Sequence, residues 1–270
     1  MTGQSAIIAV FLTSPLALLG YLLATYKRAL EQASDAWWMR AGFGTIFLRF
    51  AFTWLAPSLG DNSQVKEGRA KAIAIAARPP PPSAVIFVGS STFTFWRHLQ
   101  RDMAATGVSA PCYNAAFGGS WTKHVTSQAH ALCFAWKPRV VVYFCGTNDL
   151  NIGLSPSMVA RGFIDFHRAL VVALPSTPVV YVAPTVTPFV QARGEAVVAS
   201  FEETTHLVSA YAEEACRQRA GSVTVVDPRA AAFVSDRAMY LGDDHHLNDE
   251  GHRQLAELLA PAIARALEKG

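Results

Sequence analysis

Four short apolar runs limit what this chain can become. They are AVIFVG (84–89), RVVVYFCG (139–146), PVVYVAP (178–184) and SVTVVD (222–227). Each is apolar on both faces and rich in β-branched residues, the pattern of strands covered on both sides in a parallel sheet. Helical patterning fills 120–135, 156–174 and 200–220, and a last helix is predicted over 249–267. Strands alternating with helices predict an α/β domain: a doubly wound, mainly parallel sheet flanked by helices in three layers. Ligands of such sheets sit beyond the carboxyl ends of the strands. The residues that follow each strand therefore carry the functional argument.

After the first run comes GSSTFTFW, with Gly89 for a sharp turn and Ser90 and Ser91 behind it. Taken alone, those hydroxyls read equally well as helix caps. After a short second strand comes YNAAFGGSW (113–121), where Gly118 and Gly119 allow a tight loop with an exposed backbone N–H. After the next run comes CGTNDL, in which Asn148 can offer an amide donor. Past the last strand lies GDDHHLNDEGH (242–252), holding three histidines and four carboxylates. Together the pieces supply a hydroxyl nucleophile, donors for an oxyanion and an acid–histidine pair, the set that ester hydrolysis needs.

Taken in order, these pieces resemble the motif blocks of the SGNH hydrolases, also called GDSL-like esterases and lipases. The first block is matched by VGSSTFTFW, the second in part by NAAFGG, the third by GTND and the last by DDHHLN. The resemblance covers about 84–270 and implies the flavodoxin-like three-layer version of the fold. It implies Ser91 as nucleophile, Asp243 and His246 as acid and base, and Ser91, Gly119 and Asn148 as oxyanion donors. Two positions depart from the family pattern: Ser90 stands in place of an aspartate, and Ala116 in place of the second block's first glycine. A methyl at 116 is expected to narrow the site. Asp249 and His252 repeat the spacing of Asp243 and His246, but they fall at the start of the last helix, where Asp249 reads as a helix-start residue favoured by the dipole and His252 as a surface residue. His245 and Asp244 are expected to line the rim.

The reaction implied is carboxylic ester hydrolysis through an acyl-enzyme on Ser91, without metal or organic cofactor. An O-acyltransferase acting on an envelope glycan would use the same groups, and a non-catalytic tethered binding module is the alternative outside enzymes. The histidine-rich loop has no third or fourth ligand placed for a metal. Four cysteines form no metal-ligand or C-x-x-C spacing, and Cys145 reads as a buried inert thiol. The acyl pocket is open to two readings. Phe93, Phe95 and Trp96 follow the nucleophile, and the 184–189 loop offers a wall.

The first sixty residues read differently. From Ala6 to Tyr26 the chain carries no charge, and 21 helical residues span roughly 30 Å, the depth of a bilayer core. A second hydrophobic stretch over 36–57 carries Arg40 and Arg49, with tryptophans near its ends. The expectation is a membrane anchor over 1–60, then a linker over 61–83 ending in four prolines, then the hydrolase domain. A chain beginning near Pro80 is accordingly expected to be soluble and active. Lys27 and Arg28 put the end of the first stretch in the cytoplasm by the positive-inside rule. A second crossing over 36–57 would then place the domain on the extracytoplasmic side, the side favoured here. The net charge is +3 with no basic block, which excludes a nucleic-acid footprint. The partner expected is a small-molecule, glycan or lipid ester.

Overall fold

The first apolar run forms β1, Val85–Gly89, and the others form β3 (Val140–Phe144), β4 (Val179–Val182) and β5 (Val223–Val226). With the short β2, Cys112–Asn114, they make a sheet in the order β2-β1-β3-β4-β5. All four strand pairings are parallel. The computed structural model describes residues 63–218 and 221–269. Residues 6–26 and 36–57, read above as hydrophobic membrane segments, lie outside that range. Among the described residues no helix is long and apolar enough to cross a membrane.

Alternation along the strands builds two apolar layers. Val85, Phe87, Val140, Val142 and Val180 face one side, where they meet α2 (Ser91–Thr94), α3 (Leu99–Ala105) and α9 (Asp249–Lys269). Ile86, Val88, Val141, Tyr143 and Tyr181 face the other, against α4 (Thr122–Leu132), α6 (Pro156–Ala173) and α8 (Glu195–Arg217). Phe163 of α6 packs its ring 4.4 Å from that of Tyr181, and burial of one such side chain stabilises the fold by roughly 1.5–3 kcal/mol. Local sequence starts these helices. Ser155 accepts a bond from the Met158 N–H, and Pro156 takes the first helical position, where its missing N–H costs nothing. Asn248 does the same for α9 by accepting from Gly251 N–H.

The segment 61–83 is not a spacer. Residues 63–77 form a helix, α1, that belongs with the rest of Asp61–Gly270 in one compact unit. Its alanines favour helix, and Gly68, Ala72 and Ile75 recur at helical spacing to give one apolar face. Ile75 is buried in the layer of Ile86 and Phe117, and a methyl added at Gly68 would lie 3.1 Å from the Phe117 ring. The prolines that suggested a linker instead end the helix, since proline cannot continue one.

Candidate active site

β1 and β3 run together at their carboxyl ends because residue 89 is glycine. Its φ is +148°, and a Cβ there would sit 1.8 Å from the Phe144 carbonyl oxygen. Ser90 is extended and buried, and its N–H donates to that same carbonyl at 3.1 Å. The chain then turns into α2, so Ser91 is the first helical residue and its N–H has no intrahelical acceptor. Two side chains hold this turn from below. Asn114 donates its amide to the Phe93 carbonyl, and His252 donates Nε2–H to the Thr92 carbonyl at 2.9 Å. The His252 ring is stacked on Trp96 and buried. His252 is therefore not the surface residue its position at a helix start suggested, because α9 presents that face to α2. Burial holds its pKa below the usual histidine value. Asp249 does lie exposed in the first turn, 4.0 Å from His98.

Asp243 and His246 share a loop closed by a bridge between Tyr240 and Leu247 and by Leu241 N–H donating to the His246 carbonyl. Asp244 takes φ +55° to make the turn and pairs with Arg237. Asp243 Oδ1 accepts the N–H groups of His245 (3.0 Å) and His246 (2.9 Å), folding the loop around its own carboxylate. Its Oδ2 lies 2.6 Å from His246 Nδ1, and His246 Nε2 lies 2.9 Å from Ser91 Oγ. Burial alone would raise the Asp243 pKa. The bonds from the His246 ring and the two backbone amides outweigh it and hold the carboxyl at about 2. An ionised carboxylate only accepts, so the His246 proton sits on Nδ1 and the Nε2 lone pair faces the serine hydroxyl. The Phe95 ring meets the imidazole edge-on at 4.8 Å. His245 reaches Thr187 and Phe189 while its ring stays edge-on to that of His246 at 4.8 Å, and burial followed by the neighbouring His246 holds its pKa at about 4.

The loop after β2 is laced to the same edge. Phe117 N–H and Ser120 Oγ–H both donate to the Gly89 carbonyl, at 3.1 and 2.9 Å. Gly119 adopts φ +65°, a left-handed conformation that a side chain disfavours. Asn148, in α5 (Thr147–Asn151), donates one amide hydrogen to the Ser120 carbonyl at 3.1 Å, which leaves the second for a ligand. The neighbouring Asp149 accepts from Thr122 N–H and Oγ–H, tying α5 to α4. Its burial outweighs those bonds and raises its pKa to about 6. Among the described residues no hydrogen bond joins Gly119 or Asn148 to Ser91. The Ala116 methyl packs in the core with Phe87 and Phe93 and does not narrow the site. Of the aromatics after Ser91, Phe93 and Trp96 are core, while Phe95 is exposed beside His246.

Sequence reasoning missed three supports: His252, Gln64 and Glu67. Glu67 of α1 accepts the Gly118 N–H at 3.0 Å, and the Gln64 carboxamide lies against Gly119. No motif marks the two α1 residues; only the helical spacing of Gly68, Ala72 and Ile75 could have shown which way that helix faces. Among the described residues no group of three or more His, Cys, Asp or Glu side chains is arranged to hold a metal ion.

A family model described as GDSL-like Lipase/Acylhydrolase family matches residues 83–254. Among solved structures, a GDSL-like lipase from Bacteroides thetaiotaomicron VPI-5482 is similar at 16% identity and a TM-score of 0.59, over 75% of this chain and 99% of that one. A carbohydrate esterase family 3 protein from Talaromyces cellulolyticus is similar at 14% identity and 0.57, over 70% and 100%. An acetyl esterase bound to acetate is similar at 14% identity and 0.56, over 70% and 99%. At these identities the likeness is one of fold. No curated protein matches the chain.

Proposed function

The chain belongs to the GDSL-like lipase/acylhydrolase family, and from that premise we propose that it hydrolyses carboxylic esters through an acyl-enzyme on Ser91. The observation that carries the proposal is the chain of contacts from Ser91 Oγ to His246 Nε2 at 2.9 Å and from His246 Nδ1 to Asp243 at 2.6 Å. His246 takes the serine proton as Oγ attacks the carbonyl carbon, then gives it to the departing alcohol. Asp243 holds the imidazole in the tautomer that does this and stabilises the imidazolium. The N–H groups of Ser91 and Gly119 and the Asn148 amide receive the negative charge on the carbonyl oxygen. Water then attacks the acyl-enzyme with His246 again as base, which releases the acid and restores Ser91.

The mouth of the site favours an ester with an apolar part. Phe95, exposed beside His246, borders a groove of about 590 Å³ whose wall is apolar at Leu241 and Leu247 and charged at Arg97, Asp249 and Glu250. Phe189 is exposed on the other side against His245. Residues 6–26, whose charge-free sequence is the support, are proposed as an anchor that holds this domain at a membrane, and a second crossing over 36–57 puts the domain on the extracytoplasmic side. Recovery of the full, uncleaved chain in the soluble fraction would remove that part alone.

The test of the enzyme reading is labelling with a fluorophosphonate and turnover of short p-nitrophenyl esters. Wild type should label and turn over. Ser91→Ala should lose both, with turnover down about 10⁴-fold or more. Ser90→Ala should keep measurable activity, since that hydroxyl is buried behind the turn. The reverse pattern for the two serines defeats the assignment. Absence of labelling in wild type favours the binding module, and an acceptor-dependent product with added glycan favours transfer over hydrolysis.

A further inference from the structure

Two adjacent glycines make the loop at Gly118 and Gly119 the least constrained backbone near the serine, because glycine samples both signs of φ at little cost. An oxyanion donor has to be fixed before charge develops, and a misplacement of about 1 Å can cost 10²-fold in rate. Phe117 and Ser120 tie the two ends of the loop to the Gly89 carbonyl, and the two glycines between them need a hold of their own. The Glu67 carboxylate accepts the Gly118 N–H at 3.0 Å, a charge-assisted bond. One turn earlier, the Gln64 carboxamide covers the face of Gly119 where a side chain would stand. Its Nε2, Cδ and Oε1 lie 2.7, 3.2 and 3.3 Å from that point. Gln64 Oε1 is buried without a hydrogen-bond partner in the described structure, a cost that packing against the loop imposes. The other end of α1 is anchored elsewhere: Ile75 is in the core, and the Arg78 carbonyl accepts from the Tyr113 hydroxyl at 2.8 Å.

We propose that Glu67 and Gln64 are positioning residues for ester hydrolysis: α1 is a strut that clamps the Gly118–Gly119 loop in its donating conformation. The inference rests on the reading of Gly119 as an oxyanion donor given above. Glu67 occupies the Gly118 N–H, so of the two neighbouring amides only that of Gly119 is left for substrate. Gln64 blocks the space into which Gly119 would otherwise move.

The experiment uses the full chain with Glu67→Ala, Glu67→Gln and Gln64→Ala, on a p-nitrophenyl ester. Active sites are counted with a fluorophosphonate, and an alkylboronate serves as the tetrahedral-adduct mimic. Glu67→Ala should lower kcat about tenfold with KM within about twofold, and boronate Ki should rise by the factor by which kcat/KM falls. Glu67→Gln keeps an acceptor and should restore most of the rate. Gln64→Ala should fall between the two. A purely structural role predicts fewer titratable sites, each with wild-type kcat and wild-type boronate Ki, and that result overturns the proposal, as does unchanged kcat in Glu67→Ala. Ser91→Ala is measured alongside. Wild-type turnover in Ser91→Ala would remove the serine mechanism and this inference with it, whereas Ser91-dependent turnover unaffected by the α1 variants removes the inference alone.

Discussion

The two halves of the site are held in different ways. The loop carrying Asp243 and His246 is built mainly from within: its bridge, its turn and the bonds to the Asp243 carboxylate all lie between Tyr240 and Leu247, and only Asp244 and His245 reach out, to Arg237, Phe189 and Thr187. The Asp243 side chain is about half exposed. The serine half is assembled from across the chain. Gly89, Phe144, Asn114 and His252 meet at the Ser91 turn, and α1 adds Glu67 and Gln64 to the neighbouring glycine loop. Short-range sequence spacing can specify the first half by itself. The second exists only once the sheet is built.

The sharpest way to break this contrast is within the locally built loop. His246→Ala should lower turnover by about 10³-fold or more, since it removes the base proposed for both steps. His245→Ala, one residue away, should cost only a few-fold, because that ring turns to Thr187. Asp243→Asn should fall close to His246→Ala by disturbing the imidazole tautomer. Asp249→Asn, at the same spacing but on a helix, should change little. Full activity in His246→Ala would mean that the loop does not do the chemistry. The stability contributed by the Asp243 carboxylate has a sign that can be stated. Its folded pKa, about 2, lies below the unfolded 3.8, so the contribution is present above pH 3.8 and is lost as pH falls through 2.

The same contrast explains what could be read in advance. The strand runs at β1, β3 and β4 were legible because burial on both faces leaves a continuous apolar mark, and β5 because its β-branched run keeps that mark on a half-buried edge strand. Asp243 and His246 were legible because the geometry that joins them is local. His252 looked like a surface group because nothing in HLNDEGH tells that α9 rests that face on Trp96. Helix α1 was hidden by its polar residues and trailing prolines, although the stripe of Gly68, Ala72 and Ile75 was present. Ala116 was misjudged in the opposite direction: a loop motif suggested the site, and the backbone turned the methyl into the core.

Helix α1 also revises where the working domain begins. A chain starting at Asp61 keeps the strut and should retain near-full Ser91-dependent activity. A chain starting at Pro80 loses Ile75 from the core and Glu67 from the glycine loop. Its kcat should fall about tenfold or more, with a lower Tm, as expected for a lost buried aliphatic side chain and a lost acceptor. Equal activity of the two chains would show that the loop holds its own shape, and would move the serine half towards the locally built kind.

His252 gives a smaller effect on the same side of the comparison. His252→Ala removes the donor to the Thr92 carbonyl and the face that stacks on Trp96. The Thr92 carbonyl is part-buried, and leaving it unsatisfied costs about 1 kcal/mol, the low end for a buried group, so Tm should drop by a few degrees. Turnover should fall only a few-fold, because the Ser91 turn keeps its bonds to Phe144 and Asn114. A loss as large as that of His246→Ala would place His252 in the chemistry rather than beneath it.

The last prediction concerns a group far from the site and should leave rate untouched. His167 of α6 is fully buried; its Nδ1 meets the Tyr211 hydroxyl at 2.8 Å, and its Nε2 has no partner in the described structure. Burial pushes its pKa down to about 4 from 6.5. An unfolded chain therefore takes up a proton below pH 6.5 that the folded chain refuses until about pH 4. The resulting stability is complete above pH 6.5 and shrinks as pH falls towards 4. His245 and His252 are shifted in the same direction and add to the slope. In His167→Gln, which can still bond Tyr211, Tm should fall less steeply between pH 6.5 and 4.5 than in wild type, while kcat at pH 7.5 stays the same. Identical slopes would show that the folded protein protonates His167 as readily as the unfolded chain does.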